Sequence, residues 1–306
     1  MLDNPSAHSL TNHPDHWRGL LPTLNPAGNK YDRGHALVIG GYPLTGATRL
    51  AAWAASRAGA GLTTLAVPPI ALPIYGPTVL ASQMVRPVAG GEELATVLAD
   101  RRITAVLLGP GAGVTDQTKS YALQLLASAV PPDPNDQQPN QDTPPKRAVV
   151  LDADALTVFA GGTPLLEQAT AACQGACVLT PHEGEFARLY DLPLATADQR
   201  ISSARTAAAR CGVVLVLKGH HTVIAAPDGR VLVNRNAPPT LATAGAGDVL
   251  AGIILGLLAQ GMEPFAAAAA AVWLHGAAAT AFGVGLIADD LPDLLPKVLA
   301  ELLAGL

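Results

Sequence analysis

The sequence is poor in the features that mark several common protein classes. Aromatic residues make up 4% of its 306 positions and charged residues 14%. There is no tract of Lys and Arg, and the formal net charge is −5. A nucleic-acid surface needs clustered cations, so no nucleic-acid partner is expected. The three cysteines, Cys173, Cys177 and Cys211, are too few for a disulfide framework and suit a reducing compartment. Cys173 and Cys177 have the spacing of half a metal site, but no second ligand pair follows them. The opening stretch MLDNPSAHSLTNHPDHW has neither a basic nor an apolar segment. No secretory leader is therefore expected, and a cytoplasmic location is. Phe265 to Ala288 is long enough to cross a membrane, but it is mostly Ala and Gly with His275 midway. A span of about 20 residues needs a stronger apolar pattern. A buried helix is the better reading, and no membrane partner is expected.

What is present is a globular composition, with 49% hydrophobic residues. The chain is long enough for one large α/β domain with a sizeable core. Residues 1–29 are polar and proline-punctuated and read as an N-terminal arm, with a neighbouring subunit as a candidate packing partner. From residue 30 to 306 the pattern is that of one domain. Short apolar runs at 35–41, 61–67, 103–109, 147–156, 176–185 and 213–219 lack polar alternation. Such runs are strands buried on both faces, as in a parallel sheet covered by helices. Helical spacing occupies 48–60. Two strand-like runs, 221–227 and 230–236, flank Asp228-Gly229, which predicts a hairpin at the sheet's edge. Helices are predicted over 247–260, 264–282 and 289–304. Residues 131–146 carry six prolines and no aliphatic side chain, so they read as a surface insertion.

The richest chemistry lies at Ala244-Gly245-Ala246-Gly247-Asp248, a small-residue turn leading straight into a helix. The first N–H groups of a helix lack internal partners and carry partial positive charge. Gly245, Ala246 and Gly247 therefore form a candidate anion hole. Asp248 falls in the first helical turn, where an acid either stabilises the helix end or takes a proton from a hydroxyl that attacks a phosphoryl group. Gly41 and Gly46 bracket a strand-to-helix loop, but Ala47-Thr48 replaces the Lys-Ser/Thr of a P-loop. GPGAG at 109–113 follows a strand without the G-x-G-x-x-G register. Asp152 and Asp154 end a strand, where open α/β sheets bind ligands and where acids also cap helices. His182 sits past another strand end beside Glu183 and Glu185. Lys218 ends a buried strand, where it either snorkels or faces phosphate.

Taken in order, KYDRGHALVIGG, LTGATRLAAWAASRAGAGLTTLA, GPGAG, LDADAL, TPHEGEFARL, KGHHT and the AGAGD turn resemble the ADP/ATP-dependent NAD(P)H-hydrate dehydratases of the ribokinase-like superfamily. The match runs over roughly residues 28–300. It implies a mostly parallel central sheet flanked by helices with an antiparallel edge hairpin. It implies that Ala47, Gly113, His182 and Asp248 contact hydrated NAD(P)H, and that Lys218, Gly219, His220, His221, Thr222 and Gly247 contact ADP or AMP. Ala246 stands where the family often has Thr or Ser, which removes a hydroxyl but keeps the backbone N–H groups.

The reaction implied is restoration of hydrated NADH or NADPH to NAD(P)H, with ADP the expected phosphoryl donor over ATP, Asp248 as base and Mg²⁺ held mainly by the nucleotide phosphates. A homo-oligomer and an NAD(P)H-hydrate epimerase as functional partner are expected on the same ground; protein ligands for the metal are not readable. The rivals are a hydroxymethylpyrimidine or hydroxyethylthiazole type of kinase, against which PHEGE and KGHHT argue, and a non-enzymatic nucleotide-binding regulator, which an intact Asp248 disfavours.

Overall fold

The computed structural model describes residues 9–129, 147–173 and 176–305. The proline-rich stretch expected as a surface insertion lies outside the described residues. Ten strands form one sheet: β1 (Ser9–Thr11), β2 (His35–Ile39), β3 (Leu62–Val67), β4 (Met84–Pro87), β5 (Ile103–Leu108), β6 (Ala148–Leu151), β7 (Cys177–Leu179), β8 (Val214–Leu217), β9 (Thr222–Ala225) and β10 (Val231–Asn234). Their order is β1-β10-β9-β8-β7-β6-β5-β2-β3-β4. Only β9 runs antiparallel to its neighbours, β8 and β10. The apolar runs are strands because every residue of β2, β5 to β10 and nearly all of β3 is covered on both faces, Thr104 in β5 being the half-buried exception. The hairpin turns at Asp228-Gly229 as expected. Gly229 takes φ 93°, and the Asp228 carboxylate accepts from the Arg230 backbone N–H at 3.0 Å.

The helices are α1 (Gly46–Arg57), α2 (Leu72–Thr78), α3 (Gly91–Leu98), α4 (Asp116–Ser128), α5 (Asp154–Thr157), α6 (Thr163–Ala171), α7 (Glu183–Leu189), α8 (Ala197–Cys211), α9 (Ala246–Ala259), α10 (Pro264–Phe282) and α11 (Leu291–Ala304). One apolar core joins α1, α9, α10 and α11 to one face of the sheet, and a second joins α3 to α8 to the other. The abundance of Gly and Ala has a direct cause here. A Cβ on Gly252 of α9 would stand 2.2 Å from the Ala51 carbonyl oxygen of α1, and one on Gly256 would stand 2.5 Å from that of Ala55. The two helices meet backbone to backbone, which larger residues forbid. Among the described residues α10 is the one helix long and apolar enough to cross a membrane, and 72% of its most apolar window is buried inside the protein.

Three readings from sequence change in detail. First, part of the arm adds a strand to the sheet of its own chain: Ser9–Thr11 pairs in parallel with Val231–Val233. Trp17 is buried and meets Trp273 edge-on with ring centroids 5.8 Å apart. Its indole N–H donates to Asn12, which in turn donates to Asn234 and to the Ala269 carbonyl. Second, the run 147–156 stops being a strand at Leu151. Ala153 adopts φ 46°, and Asp154 opens a short helix. Third, the run 176–185 ends as a strand at Leu179, and from His182, its N-cap, the chain turns into α7 instead.

Candidate active site

The parallel strands β2, β5, β6, β7 and β8 all end at the same edge of the sheet, so the loops that follow them converge there. These loops carry Gly41 to Gly46, GPGAG, Asp152 to Asp154, Pro181-His182 and Lys218-Gly219. The first two interlock. The Thr48 hydroxyl donates to the Pro110 carbonyl at 2.7 Å, and a Cβ on Gly41 would collide with the Gly111 carbonyl. Gly111, at φ 70°, faces the Leu44 carbonyl, so its missing side chain serves the contact between loops. Gly113 differs. At φ 83° its surroundings leave room for a Cβ, and its N–H donates to the Asp154 carboxylate at 2.8 Å. Asp154 thus ties the GPGAG loop to the end of β6. Ala47 lies half-buried in the first turn of α1, beside these loops.

His182 caps α7. Its Nδ1 accepts from the N–H groups of Gly184 and Glu185, while the Glu185 carboxylate accepts from the His182 N–H at 2.8 Å. The capping role accounts for one ring nitrogen. Nε2 lies 3.4 Å from the Glu185 carboxylate, and the side chain is half exposed. Backbone pairing between His182 and Lys218 continues the sheet one step past β7 and β8.

Gly245 caps α9 in the left-handed conformation, φ 89°, and a Cβ there would press on Leu50 and Ala288. The first turn of α9 starts here with Asp248 in it; the Ala246 N–H is donated to the Thr243 carbonyl at 3.4 Å, and the N–H groups of Gly247 and Asp248 follow it. Lys218 is the cation facing them. Its ammonium stands 2.6 Å from the Asp152 carboxylate, and a Cβ on Gly247 would come within 3.5 Å of it. Burial alone would push the Lys218 ammonium down, but Asp152, Glu185 and Asp248 around it raise it above the ordinary value. Burial is the largest influence on Asp248 too, and it acts with the Asp152 carboxylate to push its carboxyl up to about 7 against the pull of Lys218. A carboxyl held near neutrality at a helix start suits proton transfer far better than simple helix capping.

Beside this cluster lies a cavity of about 510 Å³. Lys218, Gly219, His220, Thr222, Ala246 and Gly247 line it, so the KGHHT stretch and the glycine turn form one wall system. His221 does not line it; its ring stacks on His220 at 4.4 Å between centroids. Arg200 ties this loop down, pairing with Glu183 and donating to the Lys218 and His221 carbonyls. Ala47, Gly113 and His182 sit outside the cavity on the neighbouring loops. The rest of its lining is mainly apolar, with Ala237, Pro238, Pro239, Leu241, Leu250 and Val272. His275 of α10 also lines it. Sequence reading missed His275 as a site residue, although a lone imidazole in an otherwise Ala-rich helix is the mark that singles it out.

A mostly parallel sheet with an antiparallel edge, a glycine turn at a helix start and an acid in its first turn define a protein of the ribokinase-like class. Ribokinase from Arabidopsis thaliana superposes with a TM-score of 0.54 at 16% identity, covering 88% of this chain and 98% of that one. The family model described as NAD(P)H-hydrate dehydratase matches residues 36–299, and the chain belongs to that family. It is 38% identical over 298 residues to a bifunctional NAD(P)H-hydrate repair enzyme of Salinibacter ruber, covering 93% of this chain and 51% of the relative. The chain thus spans about half the length of such curated relatives. It is 31% identical over 291 residues to an ADP-dependent (S)-NAD(P)H-hydrate dehydratase of Bacillus subtilis, covering 93% and 95% of the two chains. The Bacillus subtilis ADP/ATP-dependent NAD(P)H-hydrate dehydratase co-crystallized with ATP/Mg²⁺ superposes with a TM-score of 0.77 at 28% identity, covering 97% of this chain and 99% of that one.

Proposed function

We propose that this chain restores hydrated NADH or NADPH to NAD(P)H, using ADP as the phosphoryl donor and leaving AMP and phosphate. The observation that carries the reading is Asp248: a carboxyl raised to about 7, in the first turn of α9, facing Lys218. In this reading Asp248 takes the proton of the ring hydroxyl, whose oxygen attacks the terminal phosphoryl group of ADP. The bond to the AMP oxygen breaks, and the ring carries a phosphoryl group in place of a hydroxyl proton. The ring nitrogen then pushes out phosphate, and the neighbouring ring carbon gives up a proton to water, its C–H electrons forming the double bond of the dihydronicotinamide. Phosphate leaves readily and hydroxide does not, so the nucleotide's part is activation.

The α9 N–H groups and Lys218 take up charge on the transferring group. Ala246 has no hydroxyl and its N–H is donated to the Thr243 carbonyl, so the N–H groups of Gly247 and Asp248 are the ones left to do so. Gly113, Ala47 and His182 flank the side from which the hydrated nucleotide would enter. Lys218, Gly219, His220, Thr222 and Gly247 hold the donor in the cavity, with His221 supporting His220 from behind. In this reading Mg²⁺ is carried mainly on the nucleotide phosphates, as magnesium sites with few protein ligands are; among the described residues no group of three or more His, Cys, Asp or Glu is placed to hold a metal. When bound, Mg²⁺ would draw charge from the phosphoryl oxygens. Three buried unpaired thiols support a cytoplasmic setting. An epimerase that interconverts the hydrate's two forms is the partner activity this chemistry calls for, and a homo-oligomer is the assembly inferred.

The test is to mix the purified protein with hydrated NADH and ADP or ATP and follow the absorbance of NADH. Recovery of NADH with matching release of AMP and phosphate is expected. A stable phosphorylated product with no NADH would instead identify a kinase, and no turnover with either donor would sink both enzyme readings.

A further inference from the structure

Arg200 reaches from α8 to the back of the KGHHT loop, with its side chain 13% exposed. It is not among the residues that line the cavity. One end nitrogen of its guanidinium pairs with Glu183, the residue after His182 in the first turn of α7. The other donates to the Lys218 carbonyl at 3.5 Å and to the His221 carbonyl at 3.4 Å. These distances are long, but the donor carries a full charge and is mostly shielded from water. The two carbonyls between them are also engaged within the loop. That of Gly219 accepts from the Thr222 hydroxyl at 3.3 Å, and that of His220 lies 3.2 Å from the His221 Nδ1.

A trans peptide is planar, and its C=O and N–H point in opposite directions. With the Lys218 carbonyl drawn to Arg200, the Gly219 N–H of the same peptide is turned away from Arg200. Gly219 lines the cavity, and its N–H donates to no group among the described residues. The glycine has the same origin. A Cβ on Gly219 would stand 2.5 Å from the Arg200 guanidinium and 3.1 Å from the Glu183 carboxylate. The Arg200–Glu183 pair fills the space a side chain would need, and the loop offers the cavity its backbone instead.

We propose that Arg200 is a positioning residue for the phosphoryl donor: it holds the Lys218–Gly219 peptide with the N–H turned to the cavity, and so sets donor affinity without touching the nucleotide. This assignment rests on the nucleotide reading of the cavity given above. A lysine would keep the charge beside Glu183, but a single ammonium cannot span that carboxylate and both carbonyls as the guanidinium fork does.

The experiment measures the dissociation constant of ADP by calorimetry, and the separate KM values of ADP and hydrated NADH, on the wild type, Arg200→Met, Arg200→Lys and Glu183→Gln. Arg200→Met is expected to weaken ADP binding and raise its KM on the order of tenfold, with the KM of hydrated NADH unchanged. Arg200→Lys is expected to recover part of that loss. Glu183→Gln keeps an oxygen for the guanidinium and leaves both carbonyl contacts in place, so its effect on ADP is expected to be smaller than that of Arg200→Met. The lysine variant carries the test if the methionine variant does not fold. Folded Arg200 variants that bind ADP as tightly as the wild type overturn the assignment. Equal rises in the two KM values overturn it as well, because a general loss of structure would produce them. A wild type that binds no ADP overturns the nucleotide reading itself.

Discussion

The Lys218 ammonium lies 2.6 Å from the Asp152 carboxylate, at the ends of two strands separated in the sheet by β7. Asp248 stands in the field of both. Asp152 holds its proton on, and Lys218 draws it off. If Asp248 is the base, kcat/KM should fall as pH drops through about 7, the value to which its carboxyl is raised. Asp152→Asn should move that fall to lower pH, and Lys218→Met should move it to higher pH. Opposite displacements in the pH profiles are the check; profiles that move together, or not at all, would exclude Asp248 as the group titrating. Both variants also break a buried pair, so a stability loss on the order of 3–5 kcal/mol is expected in each.

Asp248 also leaves a signature in stability. Its carboxyl is raised above the ordinary 3.8 to about 7, so the folded chain keeps a proton that the unfolded chain has lost. Stability from this group is therefore full at low pH and declines as pH rises between those two values. Asp248→Asn, which is never charged, should escape the decline. The variant should melt higher than the wild type by a margin that grows from about pH 5 to about pH 8, while turnover is lost. Equal melting shifts at both pH values would show that the carboxyl is not perturbed in this way.

The elements with one dominant cause were legible in the sequence. Strands such as Ala36–Ile39 and Val149–Leu151 are unbroken apolar runs because both faces are covered, and no helix of that length would read the same way. The hairpin at Asp228-Gly229 and the loop ends carrying Gly113, His182 and Lys218 follow from local chemistry. What escaped depends on distant partners. Ser9–Thr11 has no strand character of its own and becomes one only because β10 offers an edge. Met84–Pro87 is largely exposed at the other edge, so it lacks the apolar mark. The role of Gly111 belongs to Leu44, and the orphaned nitrogen of His275, Nε2, is set by packing between α9 and α10. None of these is a property of spacing along the chain.

The contact between α1 and α9 predicts that two glycine replacements will differ in sign. A Cβ on Gly252 would lie 2.2 Å from the Ala51 carbonyl oxygen, and backbone cannot move aside cheaply. Gly252→Ala should destabilise the fold by about 1–3 kcal/mol through overpacking. Gly19 lies in the short helical turn Arg18–Leu20, and a Cβ there meets nothing within 4 Å. Gly19→Ala should stabilise by roughly 0.4–1 kcal/mol, because the unfolded chain loses freedom that the turn never used. Chemical denaturation of the two variants against the wild type measures both, and a stable Gly252→Ala protein would mean the helices are farther apart than described.

The arm and the cavity are joined through Asn12. Its side-chain amide donates to Asn234 and to the Ala269 carbonyl, and its oxygen accepts the Trp17 indole N–H. Asn234 passes the chain on to Asn236, whose amide donates to the Trp273 carbonyl. Every member has its partners, so deleting one leaves several buried groups unpaired. Asn12→Ala should lower stability by about 1–3 kcal/mol. Because Asn234 lines the cavity, the same change should weaken ADP binding by a few-fold with the chemistry of Asp248 untouched, and the pH at which kcat/KM falls should stay where it was. Melting temperature, calorimetry and a pH profile on the one variant separate these effects. A variant that melts lower but binds ADP as tightly as the wild type would show that the arm supports the sheet alone and not the cavity wall.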